Sequence, residues 1–348
     1  MARLSERKYA RLKVLLMTGP GEASVSEVDD PVAGEYDARV DMVVCGICNS
    51  TDRMLRLGTF APGVKYPSIL GHESVGRVTA VGSRARYLEP GQLVTRCSAY
   101  GWDNPPTRMY WGGFADRGVV RDSKAWREDH PGQTPADNFP HIVFGADRSP
   151  EDIAVAISLA ETWSIAAEAG GMVGAVVGVS GTGIAGLSLV AYARLLGAER
   201  VVCVGRRESR TQQAVQLGAT DAALAGPQAD ALFRDLGGAD VVFEASGKAP
   251  AVDAAYRWLR PGGRLIIYSA PEQPVPLDVM AAPRNASLIV SRPREGAVLD
   301  SVVRMLESGL VPRELIVSGS YPFERIDDAF ADIDSGSVVK ALVTFGPA

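Results

Sequence analysis

The chain carries two hydrophobic patterns, and the change between them falls near residue 150. Before this point, apolar residues come in short runs at 13–18, 38–45, 71–81 and 92–96, bounded by Gly or Pro. Such runs predict strands, and short strands separated by Gly- and Pro-rich turns are typical of barrel-like folds. We therefore expect an all-β region over the first part of the chain.

From residue 150 onward, strand-length apolar runs alternate with stretches of helical period. This alternation predicts a parallel sheet whose strands are joined by helical crossovers. The last part of the chain adds two helices and a closing strand. The predicted strands are 175–179, 201–204, 240–245, 264–269, 288–291 and 341–345, and the predicted helices are 150–169, 184–196, 212–217, 251–259, 299–308 and 326–334.

The first of these crossovers carries glycines at the spacing G-x-G-x-x-G, directly between a predicted strand and a predicted helix. This geometry places a pyrophosphate at the amino end of a helix, so it predicts a dinucleotide site. The spacing by itself is also compatible with an ordinary turn. The residues assigned to the dinucleotide here are Gly181, Thr182, Gly183, Ile184, Gly186 and, after a later strand, Ser246.

The end of the next strand indicates which dinucleotide is bound. An acidic residue at this place usually holds the ribose 2′-hydroxyl of NAD. Here the strand runs into Gly205, Arg206 and Arg207, with no carboxylate. Two guanidinium groups favour a 2′-phosphate, which predicts NADP(H). The alternative is a pair of solvated arginines on a loop.

Composition and charge exclude several classes of protein. The 348 residues are enough for two domains, with 46% hydrophobic and 22% charged residues, as in ordinary globular proteins. The net charge of −5 gives no support for nucleic-acid binding, and no apolar stretch reaches membrane-spanning length. Four cysteines are too few for a disulfide framework. The early apolar run is too short for a signal sequence, so we expect a cytoplasmic protein.

A candidate metal site precedes the dinucleotide region. Cys48, His72 and Glu73 offer a thiolate, an imidazole and a carboxylate on two predicted loops, a donor set that suits zinc. Glu161 is a candidate fourth or exchanging ligand. Two alternatives remain: Cys45 and Cys48 form a redox C-x-x-C pair, or the histidine has only a structural role.

Several of these motifs resemble those of one family, in the same order along essentially the whole chain. The family is the medium-chain dehydrogenase/reductase superfamily, in its zinc-dependent alcohol and polyol dehydrogenase branch, of NADP type. The motifs that carry the resemblance are Gly46-Ile47-Cys48, Gly71-His72-Glu73, Gly112-Gly113-Phe114-Ala115, the nucleotide loop Gly181–Gly186, and Leu259-Arg260-Pro261-Gly262-Gly263.

The resemblance implies an α/β protein with a Rossmann doubly wound parallel sheet and a discontinuous GroES-like β-barrel catalytic domain. The catalytic domain would comprise residues 1–154 and 294–348, and the NADP-binding domain residues 155–293. Cys48, His72 and Glu73 would bind catalytic zinc, with Glu161 as third or exchanging ligand. Gly205-Arg206-Arg207 resembles the turn of NADP-dependent members, and Lys340 resembles a basic residue that meets the cofactor pyrophosphate. A homodimer or homotetramer is expected.

The chain departs from the family pattern at three places. Only Cys97 lies where four cysteines usually bind structural zinc, so we predict no structural zinc. The zinc loop, which usually reads Cys-x-Ser/Thr-Asp, has one residue more here, so it can be aligned with the family in two registers. The first register makes Ser50 the proton-relay hydroxyl. The second register, which we favour, treats the extra residue as an insertion and makes Thr51 the relay hydroxyl and Asp52 the partner of His72. The relay histidine found downstream in the family is replaced by Arg53 or Met54.

These observations predict an oxidoreductase that transfers a hydride between NADP(H) and a secondary alcohol or ketone. Polyols, sugars and cyclitol-type biosynthetic intermediates are all candidate substrates. One alternative is a zinc-independent quinone or enoyl reductase of the same superfamily. Another is a non-catalytic NADP-binding scaffold protein. We expect a small-molecule substrate as partner, and neither nucleic acid nor membrane.

Overall fold

The structure is a computed structural model that describes residues 11–60, 66–98, 108–109, 112–133, 141–269, 273–278, 280 and 283–346. Most of the segment around Cys97 from which we predict no structural zinc lies outside these residues.

The chain divides into two compact units, which are described separately. The first unit comprises Met1–Val155 and Val317–Ala348, and the second unit comprises Ala156–Ile316. Their first boundary lies next to the predicted one, whereas the second lies 23 residues after the predicted 293/294 boundary (316 − 293). Segment 294–316 belongs to the second unit because it is hydrogen-bonded there. The Arg294 amide donates to Ser164 Oγ at 3.0 Å, and the Gln213 side chain donates to the Leu315 carbonyl.

The first unit consists mainly of strands in two sheets. The elements are β1 (Leu12–Gly19), β2 (Glu22–Val28), β3 (Asp37–Gly46), α1 (Thr51–Arg56), β4 (Ser68–Ile69), β5 (Glu73–Val81), β6 (Leu93–Thr95), β7 (Arg108–Met109), β8 (Arg117–Arg121), α2 (Ser123–Asp129), β9 (Val143–Phe144), β16 (Val317–Pro322), α9 (Ile326–Ser335) and β17 (Lys340–Thr344). The strand order is β2-β1-β4-β7 in one sheet and β16-β17-β3-β5-β6-β9 in the other, where β8 also pairs with β3.

The core of the first unit contains residues from both parts of the chain that form this unit. Leu15 and Ile47 pack in one buried cluster with Phe323 and Phe330, which lie close to the carboxyl end. The closing strand β17 is antiparallel to β3, so the last strand completes a sheet that the first part of the chain begins. This discontinuous, β-rich domain agrees with the predicted GroES-like fold class.

The second unit is a parallel six-stranded sheet with helices between its strands. The helix α3 (Pro150–Ala169) leads into it. The other elements are β10 (Val176–Ser180), α4 (Ile184–Leu195), β11 (Arg200–Gly205), α5 (Glu208–Gln216), β12 (Asp221–Leu224), α6 (Pro227–Asp235), β13 (Ala239–Glu244), α7 (Ala249–Arg257), β14 (Leu259–Ile267), β15 (Ser287–Val290) and α8 (Glu295–Glu307). The strand order is β12-β11-β10-β13-β14-β15, in which the chain turns back at β10, as in a doubly wound Rossmann fold.

The sheet of the second unit follows from its sequence pattern. Val177, Val202 and Val242 are fully buried because both faces of a parallel sheet are covered by helices. The predicted strand 264–269 corresponds to the later part of β14. β14 begins at Leu259, but its register against β13 shifts between Leu259 and Arg264, so residues 260–263 form an irregularity within the strand. Gly262 has φ 78° there, a left-handed conformation that glycine adopts readily.

None of the helices in the described part of the chain is long and apolar enough to cross a membrane.

Candidate metal centre and nucleotide-binding loop

Three predicted metal ligands of the first unit lie together. Cys48 follows the end of β3, and Glu73 begins β5, which is antiparallel to β3. This pairing sets Gly46 opposite Glu73 and brings the two loops together. One ligand atom from each of Cys48, His72 and Glu73 lies within 4.8 Å of the others. We call these three residues the ligand cluster.

Gly46 makes this cluster possible because it lacks a side chain. A Cβ atom at this position would lie 2.3 Å from Glu73 Oε2 and 3.1 Å from Lys340 Cε. Any larger residue would therefore push these side chains apart. Close packing against Glu73 and Lys340 therefore explains why the Gly-Ile-Cys motif has a glycine at this position.

Asp52 contacts two residues of the ligand cluster, His72 and Cys48. Its Oδ1 lies 3.4 Å from His72 Nδ1, and its Oδ2 accepts a hydrogen bond from the Cys48 amide at 2.8 Å. The carboxyl group is fully buried. A carboxylate on the far nitrogen of a metal-binding histidine fixes the ring and raises its basicity. Asp52 therefore occupies the place that the second register of the zinc loop assigns to it.

The charge of this region suits a bound cation. Burial alone would lower the pKa of His72, but the charges of Asp52 and Cys48 and hydrogen bonds to both raise it well above its usual value. The negative charge that favours an imidazolium would equally favour a metal ion. Together with the thiolate, imidazole and carboxylate donors, this shows that the residues present fit zinc.

The two candidate relay hydroxyls occupy different positions at the start of α1. The Thr51 amide donates to Cys48 Sγ at 3.4 Å, and the side chain is half-buried. Ser50 precedes the helix, is exposed, and makes no capping bond with its side chain. Thr51 thus lies against a candidate ligand and directly before Asp52, which favours it as the relay residue.

Lys340, the first residue of β17, is buried beside Glu73 of the ligand cluster. Its ammonium group forms an ion pair with Glu73 and donates to the Ile47 carbonyl at 3.0 Å, and only 1% of the side chain is exposed. Burial alone would lower the pKa of Lys340, but the charge of Glu73 raises it above its usual value. The first residue of β17 lands here because β17 pairs with β3. Its role at a pyrophosphate stays a prediction.

Glu161 lies on α3 in the second unit, so it is not part of the ligand cluster of the first unit. Its Oε2 accepts a hydrogen bond from the Tyr268 hydroxyl at 2.6 Å. Tyr268 follows the last residue of β14 and was not singled out in the sequence. The only available signal was a tyrosine directly after an apolar strand.

The predicted nucleotide loop is a tight turn from β10 into α4. Gly183 precedes the helix, and the structure leaves open space at the position of a Cβ atom there. At Gly186, by contrast, a Cβ atom would lie 1.9 Å from the Gly181 carbonyl oxygen. One glycine keeps the outside of the turn open to a ligand, and the other permits the turn itself. Thr182 and Ile184 lie within the same turn.

The turn that carries Ser246 is held by a carboxylate that the sequence reasoning missed. Glu244 ends β13, is fully buried, and accepts hydrogen bonds from the Ser246 amide at 2.8 Å and from the Ser246 hydroxyl. Its other oxygen accepts from Ser269 Oγ. An acidic residue at the end of an otherwise apolar strand was the available signal.

The arginines after β11 are exposed at the start of α5. Gly205 ends the strand, and Arg206 and Arg207 follow it. A third basic residue, Arg210, lies one turn further; burial, and then the charge of Arg207, lower its pKa. This end of the strand is therefore a region of positive charge, as the prediction of a 2′-phosphate site requires.

Comparisons with known proteins agree with both units. A family model described as zinc-binding dehydrogenase matches residues 185–306, and one described as alcohol dehydrogenase GroES-like domain matches residues 34–130. D-xylulose reductase A of Aspergillus oryzae is 28% identical over 329 residues, which cover 88% of this chain and 89% of that protein.

Solved structures show the same fold over nearly the whole chain. The alcohol dehydrogenase TADH from Thermus sp. ATN1 has a TM-score of 0.76 and 26% identity, and the match covers 96% of this chain and 100% of that one. A chain from Sinorhizobium meliloti 1021, solved bound to NADP, has a TM-score of 0.78 and 24% identity, with coverage of 96% and 99%.

Proposed function

We propose that this chain, which belongs to the zinc-dependent alcohol and polyol dehydrogenase branch of the medium-chain dehydrogenase/reductase superfamily, transfers a hydride between NADP(H) and a secondary alcohol or its ketone. The observation that carries the proposal is the convergence of Cys48, His72 and Glu73 within 4.8 Å, with Asp52 against the histidine. A zinc-independent reductase would have no need of this arrangement.

We infer that one zinc ion is bound per chain by the ligand cluster, with Cys48 and His72 as thiolate and imidazole ligands and Glu73 as the carboxylate within 4.8 Å of both. Glu73 also pairs with the ammonium group of Lys340, so binding of a metal ion to its carboxylate would compete with this ion pair. Glu161 stays a candidate exchanging ligand by resemblance.

When bound, zinc supplies a Lewis acid that stabilises negative charge on the substrate oxygen. The chain supplies the rest. Asp52 keeps the His72 ring oriented, with Nδ1 towards the carboxylate. Thr51 Oγ1 receives the hydroxyl proton of the alcohol and passes it on to water, since no histidine follows in the relay position.

NADP(H) accepts or donates the hydride. The turn Gly181–Gly186 would hold its pyrophosphate at the amino end of α4, where backbone N–H groups and the helix dipole favour an anion. Arg206 and Arg207 would contact the 2′-phosphate at the end of β11. A double change of these two arginines to Ala is expected to weaken NADPH binding by at least about 100-fold, since hydrogen bonds to charged groups contribute roughly 1.5–3 kcal/mol each and about 1.4 kcal/mol corresponds to tenfold. Binding of NADH should change little.

A polyhydroxylated substrate fits best with the relatives and with Glu161. D-xylulose reductase A, whose sequence aligns over most of this chain, acts by its name on a ketose. The resemblance also associates a glutamate at the position of Glu161 with the polyol-dehydrogenase types. We therefore propose a polyol and its ketose as the substrate pair.

We also propose that the protein is a homo-oligomer. β15 is the edge strand of the parallel sheet and exposes apolar side chains at Leu288, Ile289 and Val290. A second copy of this chain would cover this edge by continuing the sheet.

The test is an assay of NADPH and NADH oxidation with ketoses, sugars and simple ketones, combined with metal analysis of the purified protein. We expect one zinc per chain, a preference for NADPH, and turnover with at least one ketose. Cys48→Ser should lose zinc and turnover but still bind NADPH. Full activity in zinc-free protein would refute the proposal, and NADPH binding without any turnover across the panel would favour a scaffold.

A further inference from the structure

The side chain of Thr182 in the nucleotide loop occupies the space beside Gly205 at the end of β11. A Cβ atom at Gly205 would lie 2.5 Å from Thr182 Cγ2 and 2.9 Å from Thr182 Oγ1. Non-bonded carbon atoms pack at about 3.5–4.0 Å, so both contacts are far too short. The φ angle of Gly205 is not positive, so its backbone conformation does not require glycine. Lack of space alone therefore requires a glycine here.

No rotamer of Thr182 vacates this space. The Cβ atom of threonine has three staggered positions, and heavy atoms occupy two of them. Both heavy atoms lie within 2.9 Å of the Cβ position at Gly205, so the two positions that they occupy face the glycine. Rotation about χ1 moves one heavy atom to the third position but leaves a position facing the glycine occupied. A threonine at position 182 thus crowds a side chain at position 205 in every rotamer.

The backbone of the nucleotide loop is fixed on two sides. The Gly181 amide donates to the Val204 carbonyl at 2.9 Å, which ties the loop to β11. On its other side, a Cβ atom at Gly181 would lie 3.1 Å from the Ser246 amide nitrogen, in the turn after β13. The loop therefore packs closely between these two strand ends. Thr182 cannot move away from Gly205 without disturbing this packing.

Position 205 is the place at which the choice between the two dinucleotides is made. It ends β11 and lies 19 residues after Gly186 (205 − 186), where an acidic side chain accepts a hydrogen bond from the ribose 2′-hydroxyl of NAD. The same negative charge would repel the 2′-phosphate of NADP. By crowding this position, Thr182 disfavours such a carboxylate beside Arg206 and Arg207.

We propose that Thr182 is a specificity-determining residue for the dinucleotide. Because it fills the space beside Gly205, a single substitution at position 205 cannot supply a well-placed carboxylate for NAD. The residue at position 182 thus decides which residues position 205 accepts, and this couples the glycine loop to the region of the 2′-phosphate. The inference rests on the proposed preference for NADP(H), because it assigns a residue that maintains this preference.

The experiment introduces Gly205→Asp into three proteins that differ only at position 182: the wild type, Thr182→Val and Thr182→Ala. Valine has nearly the same shape as threonine and is the matched control, whereas alanine lacks both crowding atoms. Fluorescence titration measures the dissociation constants of NADH and NADPH, and each Gly205→Asp protein is compared with its own parent. The effect of the aspartate is thereby separated from any effect of position 182 itself.

The aspartate should act on cofactor binding only where position 182 leaves room for it. In the alanine background, Gly205→Asp should tighten NADH binding by about 10- to 100-fold, the size of a hydrogen bond to a charged group. It should weaken NADPH binding by at least about tenfold, because like charges then face each other. In the threonine and valine backgrounds, NADH binding should not tighten.

Thermal unfolding without cofactor tests the packing itself. Gly205→Ala, which adds one methyl group, should lower the Tm by roughly 2–12 °C in the threonine and valine backgrounds, as overpacking does. The fall should be much smaller in the alanine background. The remaining neighbour, Thr211 Cγ2 at 3.1 Å, needs to shift by only a few tenths of an ångström. This comparison holds even where Gly205→Asp does not fold beside threonine.

The outcomes distinguish this inference from the proposed function. A wild type that binds NADH as tightly as NADPH would overturn the proposed cofactor preference and the role of Thr182 together. If the wild type prefers NADPH, the same gain in NADH affinity in all three backgrounds, or no gain beside alanine, would overturn only the role of Thr182. A valine background that responds like the alanine background, or an equal fall in Tm in all three, would do the same.

Discussion

At the scale of single residues, three of the candidate ligands have a partner side chain, and the zinc loop contains only one of these partners. Asp52 of that loop lies against His72, Lys340 pairs with Glu73, and Tyr268 donates to Glu161. These contacts restrict the orientation of the three side chains and set the charge around them. The motif predicts the donor atoms, and the partners determine their chemistry.

The two hydroxyls of the zinc loop offer a direct comparison. We expect Thr51→Val to lower turnover by about 100-fold, at the lower end of the effect of a positioned proton-transfer group. Valine has nearly the same shape as threonine and keeps the hydrogen bond from its backbone amide to Cys48 Sγ, so the loop should stay in place. Ser50→Ala, which changes an exposed hydroxyl, should stay within about twofold of the wild type, because surface changes usually have small effects.

Steady-state kinetics with NADPH and an active ketose measures both variants, and metal analysis confirms that zinc is retained. The opposite ranking, with Ser50→Ala inactive and Thr51→Val active, would restore the register in which the serine is the relay residue.

At the scale of elements, the strand–turn–helix unit around the nucleotide loop was predicted closely. The predicted helix 184–196 corresponds to α4, and the predicted strand 201–204 lies within β11. Local pattern is sufficient here because a buried parallel strand and a glycine turn leave few alternatives. The predicted strand 264–269 corresponds to the later part of β14, where pairing with β13 resumes at Arg264 after a register shift.

Substitution by alanine should affect the stability of the protein at one glycine of the loop but not at another. In Gly186→Ala, the new methyl group meets the Gly181 carbonyl, so we expect the free energy of unfolding to fall by about 1–3 kcal/mol, as overpacking does. In Gly183→Ala, nothing lies near the new methyl group, and the backbone at φ −79° suits alanine. Its stability should stay within about 0.5 kcal/mol of the wild type.

NADPH binding then separates the roles of the two glycines. Gly183→Ala should bind NADPH at least about tenfold more weakly, a loss of about 1.4 kcal/mol, since its methyl group occupies the side of the turn left open to a ligand. Urea unfolding and fluorescence titration measure the two effects. Wild-type NADPH affinity in Gly183→Ala would place the pyrophosphate elsewhere.

At the scale of the whole molecule, the chain returns at its carboxyl end to the unit in which it started. The ion pair of Lys340 with Glu73 joins residues 267 positions apart. The second unit keeps residues 294–316, which the resemblance assigned to the catalytic domain. The domain boundary therefore follows the hydrogen bonds of α3 and α5 to this segment.

The exposed edge of the sheet in the second unit predicts self-association. Val290 on β15 is 69% exposed, and its neighbours Leu288 and Ile289 are 40% and 41% exposed. We expect the wild type to sediment as a dimer or tetramer at micromolar concentration. Val290→Lys should shift it towards monomer, because a charged residue on an edge strand opposes pairing.

Val173→Lys is the control, since this valine is 87% exposed and lies outside the strands of the same unit. It should sediment like the wild type. A monomeric wild type, or equal dissociation in both variants, would contradict an interface at β15.

The sequence by itself determined the fold class, the nucleotide loop and the donor set Cys48, His72 and Glu73. These depend on local signals: the period of apolar residues, glycines at turns, and residue types that bind metal. The sequence also favoured Asp52 as the partner of His72. Tertiary structure alone decided the other two partners: it brought Lys340 to Glu73 and Tyr268 to Glu161. The physical reason is that these contacts depend on which strands pair and in which register, and side chains far apart in the chain carry no local signal of one another.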